Sequence, residues 1–291
     1  MKKILFLLGM VGLIAFSCGV DMPAGPSFEE QLKKDIAEID EYLFNNGISA
    51  TSDQSGVRYL TTKVGLGAVP APTDVVYVTV VGKILKTGRI FVDVQDSWTN
   101  VPINAPDLLA SWKTVIPKMT KGSSFTIFSP SGLAYGTVGV NITGVAVPSN
   151  TNVSFEMQLF DEVAQFKIDT AAITAHVKTN NINAIKDGSG LQYVITQIGT
   201  GAKPIASSSV TFNYEGKLLA TGAVFDKSTT VPLTLPLTNI IKGLQIGLPL
   251  LSAGGKATFY IPSSLGYGPS KSNAIPSNSN LIFEIELVSV R

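Results

Sequence analysis

The chain has 291 residues, with 22 Lys and Arg against 21 Asp and Glu and a net charge of +1, a length that predicts about two domains. A near-neutral balance with few basic residues excludes a broad nucleic-acid surface, which needs a concentrated positive face, so no nucleic acid is expected as a partner. One His and one Cys leave no intrachain disulfide, no His-rich or Cys-rich metal centre and no expected cofactor, and a hydrolase of the Ser-His-Asp or Cys-His kind would have to rely on His176 alone.

Lys2 and Lys3 precede an apolar run from Ile4 to Phe16, which is too short for a comfortable membrane span but suits an export signal. Ala15-Phe16-Ser17-Cys18 resembles a bacterial lipobox, so residues 1–17 read as a lipoprotein signal peptide and Cys18 as the lipidation site. Several acyl chains on one cysteine supply more than the two lipid signals that stable anchoring needs. An uncleaved anchor, or an ordinary signal with an incidental cysteine, is the alternative. Residues 18–27 carry Gly and Pro without periodicity and read as a tether. Gly19 is not the acidic residue that retains some lipoproteins at the inner membrane, so the expectation is a cell-envelope protein held at the outer membrane, periplasmic or surface-facing.

Downstream the sequence repeats itself. Ser55-Gly56-Val57-Arg58-Tyr59 returns as Ser189-Gly190-Leu191-Gln192-Tyr193, and Gly82 and Phe91 return as Gly216 and Phe225, all 134 residues later. Leu133-Ala134-Tyr135-Gly136 returns as Leu265-Gly266-Tyr267-Gly268 at 132, and Val147-Pro148-Ser149-Asn150 as Ile275-Pro276-Ser277-Asn278 at 128. A repeat this long predicts tandem domains, residues 28–162 and 163–291, rather than a stack of short units. Each copy opens on a helix: 29–46 with Leu32, Ile36, Ile39 and Leu43 at helical spacing, and 163–180 with Ile168, Ala172, Ile173 and Val177. In the second copy strands are predicted at Gly190–Gly199, Ser209–Leu218, Leu233–Leu237, Lys256–Ile261 and Leu281–Val290, with a short helix at Ile240–Leu248. The fold class is α+β: in each copy, an antiparallel sheet wrapped on a short helix behind an extra N-terminal helix.

The blocks Val210–Leu218, Gly222–Ser228, Ile241–Leu244, Ile261-Pro262, Gly266–Gly268, Ile275-Pro276 and Leu281–Glu284, in this order and spacing, resemble the FKBP family of peptidyl-prolyl isomerases over most of residues 187–291. The leading helix with its Asn-rich exit also resembles FKBP-type lipoproteins of the Bacteroidetes group. The resemblance implies an apolar proline pocket lined by Tyr214, Phe225, Leu233, Ile240, Ile241, Leu244, Tyr267, Ile275 and Phe283. It places Asp226 at the rim beside Tyr214, and sets the Ile241 N–H and the Tyr267 hydroxyl to bind substrate carbonyls. Tyr214, Asp226 and Tyr267 would be the catalytic side chains. Taken singly, the aromatics also suit ordinary sheet core and Asp226 suits a turn. Leu244 stands where the family commonly has Trp, and Leu233 where it commonly has Phe, which implies a wider pocket and modest activity.

The first copy is altered. Val80 replaces Tyr214 and Val92 replaces Asp226, while Phe91, Trp112, Tyr135, Val147 and Phe155 persist, and Asp93 is one residue out of phase and expected on the opposite face. Residues 28–162 therefore read as a degenerate copy: a spacer, a chaperone-like binder or a dimerisation unit. Partners implied for the whole are X-Pro-containing unfolded or exported proteins and, through Cys18, a lipid membrane. A non-catalytic chaperone-like or surface-binding lipoprotein on the same fold is the competing reading. The oligomeric state is not legible.

Overall fold

A computed structural model describes residues 26–291; the predicted signal peptide, Cys18 and most of the predicted tether lie outside the described residues. The chain divides into two units, one running to Gln95 and continuing through Thr99–Phe160, the other made of Asp96–Trp98 and Asp161–Arg291.

In the first unit, Ser27 and Glu30 form a reciprocal capping box that starts α1 (Phe28–Asn45). The strands β1 (Thr51–Ser52), β2 (Arg58–Lys63), β3 (Val75–Ile84) and β4 (Ile90–Pro102) follow, then the short helix α2 (Ala110–Val115). β5 (Ser124–Ser129), β6 (Val140–Ile142), β7 (Val145–Val147) and β8 (Val153–Leu159) complete the unit. Six strands make an antiparallel sheet in the order β1-β2-β5-β8-β3-β4, with β6 and β7 forming a separate hairpin. Alternation on β3 and β8 turns Val76, Val78, Val80, Phe155 and Met157 into one core with Trp112, Val115 and Ile116 of the helical segment.

The second unit repeats the plan with α3 (Glu162–Thr179), β9 (Ile185–Lys186), β10 (Gln192–Gln197), β11 (Ser209–Leu218), β12 (Val224–Lys227), β13 (Leu233–Pro236), α4 (Lys242–Gly247), β14 (Lys256–Ile261) and β15 (Leu281–Val290). The antiparallel order is β12-β11-β15-β14-β10-β9, with β13 also paired to β11. Leu244 and Leu248, on α4 and just after it, pack into a core with Phe212, Phe259, Leu281, Phe283 and Ile285. The α+β architecture of two repeated domains is as the sequence predicts.

Three details differ. The strand expected over Gly190–Gly199 is trimmed to Gln192–Gln197, with a bulge between Ile195 and Gln197. The edge strand β12 has no counterpart in the sequence expectation; it is four residues long, mostly exposed and irregular in register, so it carries no apolar signal. The buried face of α3 is shifted from the predicted one: Ile173 is buried and Val177 part-buried as expected, but Ile168 is 61% exposed and Ala172 also exposed, while Asp169 is buried. A buried carboxylate inside the stripe hides the helical period from a hydrophobicity reading.

That carboxylate is the centre of a polar clasp made twice. In the second unit Asp169 Oδ2 accepts from the Ser263 N–H at 3.0 Å and the Ser263 hydroxyl at 2.5 Å, and its Oδ1 accepts from Gln165 at 2.7 Å. The Asn280 side chain closes the ring, donating to the Asp169 carbonyl and accepting from the Ser263 N–H. Gln31, Asp35, Ser131 and Asn152 make the same bonds in the first unit. Each clasp satisfies a buried charge with several donors, the condition for tolerating one in a core.

Candidate functional site

The site of the second unit is assembled from five elements. β11 and β15 pair with Gly216 opposite Phe283 and Tyr214 opposite Ile285, while β12 sets Asp226 opposite Gly216. Phe225 and Tyr214 flank Phe283, at 5.7 Å and 75° and at 6.2 Å, and Tyr267 meets the far side of the group edge-on to Phe225 at 6.3 Å. Such tilted and edge-to-face contacts hold the rings at fixed angles. Gly216 makes the approach possible, because a Cβ there would lie 2.6 Å from the Phe225 ring and 3.1 Å from Phe283.

Leu244 and Ile275 are buried against this group, and Ile240 and Ile241 pack on it half-buried. Ile241 caps the N-terminus of α4: its carbonyl accepts from Leu244 and Gln245, and among the described residues its own N–H meets no acceptor. Tyr267 rides on a tight turn. Ser263, held by the clasp, accepts from the N–H groups of Gly266 and Gly268 through its carbonyl, and this presents Tyr267 between them, 39% exposed. Clasp and site are thus one connected framework. Leu233 begins edge strand β13, is 36% exposed and lies outside the packed core cluster.

The polar pair is made. The Tyr214 hydroxyl donates to Asp226 Oδ2 at 2.8 Å, and the Lys227 N–H donates to Asp226 Oδ1 at 2.9 Å. Burial, reinforced by the bond to Asp226 and its charge, pushes the Tyr214 phenol up to about 12. Burial and Asp226 raise Tyr267 as well. Both hydroxyls therefore remain protonated donors across roughly pH 6–9, and any turnover carried here is expected to be flat over that range as far as these groups are concerned. For stability the sign follows from linkage. The folded state holds the Tyr214 proton more tightly than the unfolded chain, so its contribution is complete below the ordinary value of 10.0 and is lost as pH rises towards about 12. Phenolate absorbance during alkaline titration checks this; a Tyr214 signal titrating at 10 contradicts it.

The matching aromatic group in the first unit is more deeply buried. Phe91 is 1% exposed, between Phe155 at 5.9 Å and Tyr135 at 5.7 Å, and Trp112 stands edge-on to Phe155 at 5.2 Å. The longer loop after Tyr135 folds into the β6–β7 hairpin, whose Val140, Ile142 and Val145 pack on this core. In the second unit the same stretch holds only a bridge between Ser272 and Ile275. Val80 is buried, Val92 packs inward, and exposed Asp93 is bonded to Gln95, on the outer side as its phase predicts. His176 lies 5.7 Å from the Tyr260 ring, on α3 and away from the aromatic cluster. Among the described residues no three His, Cys, Asp or Glu side chains gather as metal ligands.

The clasp residues escaped the sequence reading, although a signal was present: Gln31, Asp35, Ser131 and Asn152 recur as Gln165, Asp169, Ser263 and Asn280 at the repeat's own offsets.

The chain is similar in sequence to known proteins. The family model for FKBP-type peptidyl-prolyl cis-trans isomerases matches residues 67–160 and 201–288, one stretch in each unit. A Neisseria meningitidis protein named a probable FKBP-type peptidyl-prolyl cis-trans isomerase FkpA is 45% identical over 116 residues, which cover 37% of this chain and 42% of the relative. The FkpA of Aeromonas hydrophila is 37% identical over 140 residues, covering 45% of this chain and 52% of the relative. The chain thus spans about half the length of the curated relatives it matches. The crystal structure of FkpA from Escherichia coli aligns with a TM-score of 0.38 at 34% identity, over 44% of this chain and 64% of that one.

Proposed function

The chain belongs to the FKBP-type peptidyl-prolyl cis-trans isomerase family, and from that premise we propose that it accelerates cis-trans exchange of X-Pro bonds at the aromatic site of its second unit. The observation that carries the proposal is the intact Tyr214–Asp226 pair at the rim of the Phe225, Tyr267 and Phe283 cluster. Rotation about the peptide bond meets a barrier of about 18–20 kcal/mol because resonance is lost on twisting. The planar amide is the more polar state, so an apolar surface around the proline disfavours it relative to the twisted one, and no nucleophile is required. The Ile241 N–H and the Tyr267 hydroxyl hold the flanking carbonyls, while Asp226, fixed by Tyr214, faces the edge of the bound amide.

The same reading extends to the biology. Cys18 is a lipid anchor, the clients are X-Pro-containing exported or unfolded chains, and the place of action is the cell envelope. The export-type N-terminus supports this, as does a Legionella longbeachae relative named an outer membrane protein, 42% identical over 106 residues. The first unit, with Phe91 buried in its core and its polar pair replaced by valines, acts as a spacer or binder rather than an isomerase. A competing function is client binding without catalysis, favoured by Leu244 at the site floor.

A protease-coupled prolyl-peptide assay on the full chain tests the proposal. Exchange faster than buffer is expected, and an aggregation-suppressing protein that leaves the exchange rate at the buffer value would favour the competing reading. Leu244→Trp restores the larger floor that Trp112 supplies in the first unit, and its turnover is expected to rise several-fold. An unchanged or lower rate in a folded variant would show that the floor does not limit the reaction.

A further inference from the structure

A groove of about 560 Å³ runs between α3 and the β9–β10 edge of the second unit. It is separate from the aromatic site, and the internal repeat explains its origin. In the first unit this place carries an ion pair: Arg58 of β2 grips Asp40 of α1 through Nε and Nη2, at 2.8 and 2.9 Å. At the equivalent positions, 134 residues on, stand Gln192 and Thr174, shorter and neutral, joined by one bond of 3.0 Å. Ile36 becomes Thr170, Phe44 becomes Lys178 and Ser52 becomes Lys186. The ion pair has been removed and positive charge added around the opening.

Lys167, Lys178 and Lys186 line the groove, and none of them ion-pairs with a carboxylate among the described residues. The nearest acidic group, Asp187, already accepts from the Ser189 N–H at 2.8 Å. Gln192 is 3% exposed, and its Oε1 is buried with no hydrogen-bond partner, an acceptor left open in a lining residue. A buried unsatisfied acceptor is costly and is relieved by a donor. An occupant therefore has to bring carboxylates for the three ammonium groups and an N–H for Gln192. An acidic peptide brings both; a simple anion brings only the first.

We propose that this groove binds an acidic peptide segment, with its carboxylates on Lys167, Lys178 and Lys186 and a backbone N–H on Gln192. The inference does not rest on the isomerase reading, since none of these residues belongs to the aromatic site.

The test is a fluorescence-anisotropy titration of the full chain with a labelled, end-capped Glu hexapeptide containing no proline, with a Lys hexapeptide and inorganic phosphate as parallel arms. Saturable binding of the Glu peptide that weakens with salt is expected, with no binding of the Lys peptide. The double variant Thr174→Asp with Gln192→Arg rebuilds the ion pair of the first unit and is expected to weaken binding at least tenfold while prolyl turnover is retained. Lys178→Phe, which also installs the first unit's residue, is expected to weaken it several-fold and serves if the double variant misfolds. Absence of saturable binding, or equal binding by either folded variant, overturns the proposal. Phosphate displacing the peptide at equal concentration overturns the peptide assignment in favour of a simple anion site.

Discussion

Asp169→Ala is expected to destabilise the second unit by about 3–5 kcal/mol, a large share of the roughly 5–15 kcal/mol that holds a domain together. The carboxylate is 1% exposed and receives three hydrogen bonds, from both donors of Ser263 and from Gln165. Hydrogen bonds to charged groups contribute about 1.5–3 kcal/mol each, and the partners left behind would be buried donors without acceptors. Thermal unfolding of the second unit's transition reads the loss directly. Because Ser263 anchors the turn that carries Tyr267, prolyl turnover should fall below the fraction that remains folded. Asp35→Ala should lower the first unit's stability by a similar amount and leave turnover unchanged. Equal stability of the Asp169→Ala protein and its parent would show that the clasp is ornamental.

The second large effect concerns the aromatic site. Phe225→Ala removes a ring that touches both Phe283 and Tyr267 and is only half-buried, so the loss falls on the concave surface more than on the core. Apolar contact from a ring of this size contributes about 1.5–3 kcal/mol. At about 1.4 kcal/mol per factor of ten, kcat/KM for a proline tetrapeptide should drop about 10- to 100-fold. The protein's melting temperature should fall much less than with Asp169→Ala, since Phe225 is not a buried core residue. A rate within twofold of the parent, in a folded protein, would remove Phe225 from the site.

Much of this arrangement is legible in the sequence because strands and tandem repeats write their positions plainly. β11, β14 and β15 run over Ser209–Leu218, Lys256–Ile261 and Leu281–Val290, where alternation bounded by Gly, Asn and Ser clusters puts them. Tyr214, Phe225, Tyr267 and Phe283 come together as the ordered blocks imply. What stays hidden is polar or comparative. Asp169 reads as a surface helix residue until its partners Ser263 and Asn280, far along the chain, are brought to it.

The first copy shows a further limit. Loss of Tyr214 and Asp226 equivalents is visible at Val80 and Val92, but the four extra residues after Tyr135 read only as a longer loop. Folded into the β6–β7 hairpin, they pack Val140, Ile142 and Val145 against the core that holds Phe91 and Trp112. Transferring Tyr and Asp into positions 80 and 92 should therefore leave the first unit inactive while the hairpin stays.

The central claim is that catalysis belongs to the second unit alone. Prolyl-peptide exchange measured on the full chain, with Phe225→Ala and Phe91→Leu compared side by side, tests it most directly. The predicted result is a 10- to 100-fold loss of kcat/KM for Phe225→Ala, on the order set by losing the ring's apolar contact, and an unchanged rate for Phe91→Leu. Equal losses in the two variants, or a loss confined to Phe91→Leu, would contradict the account.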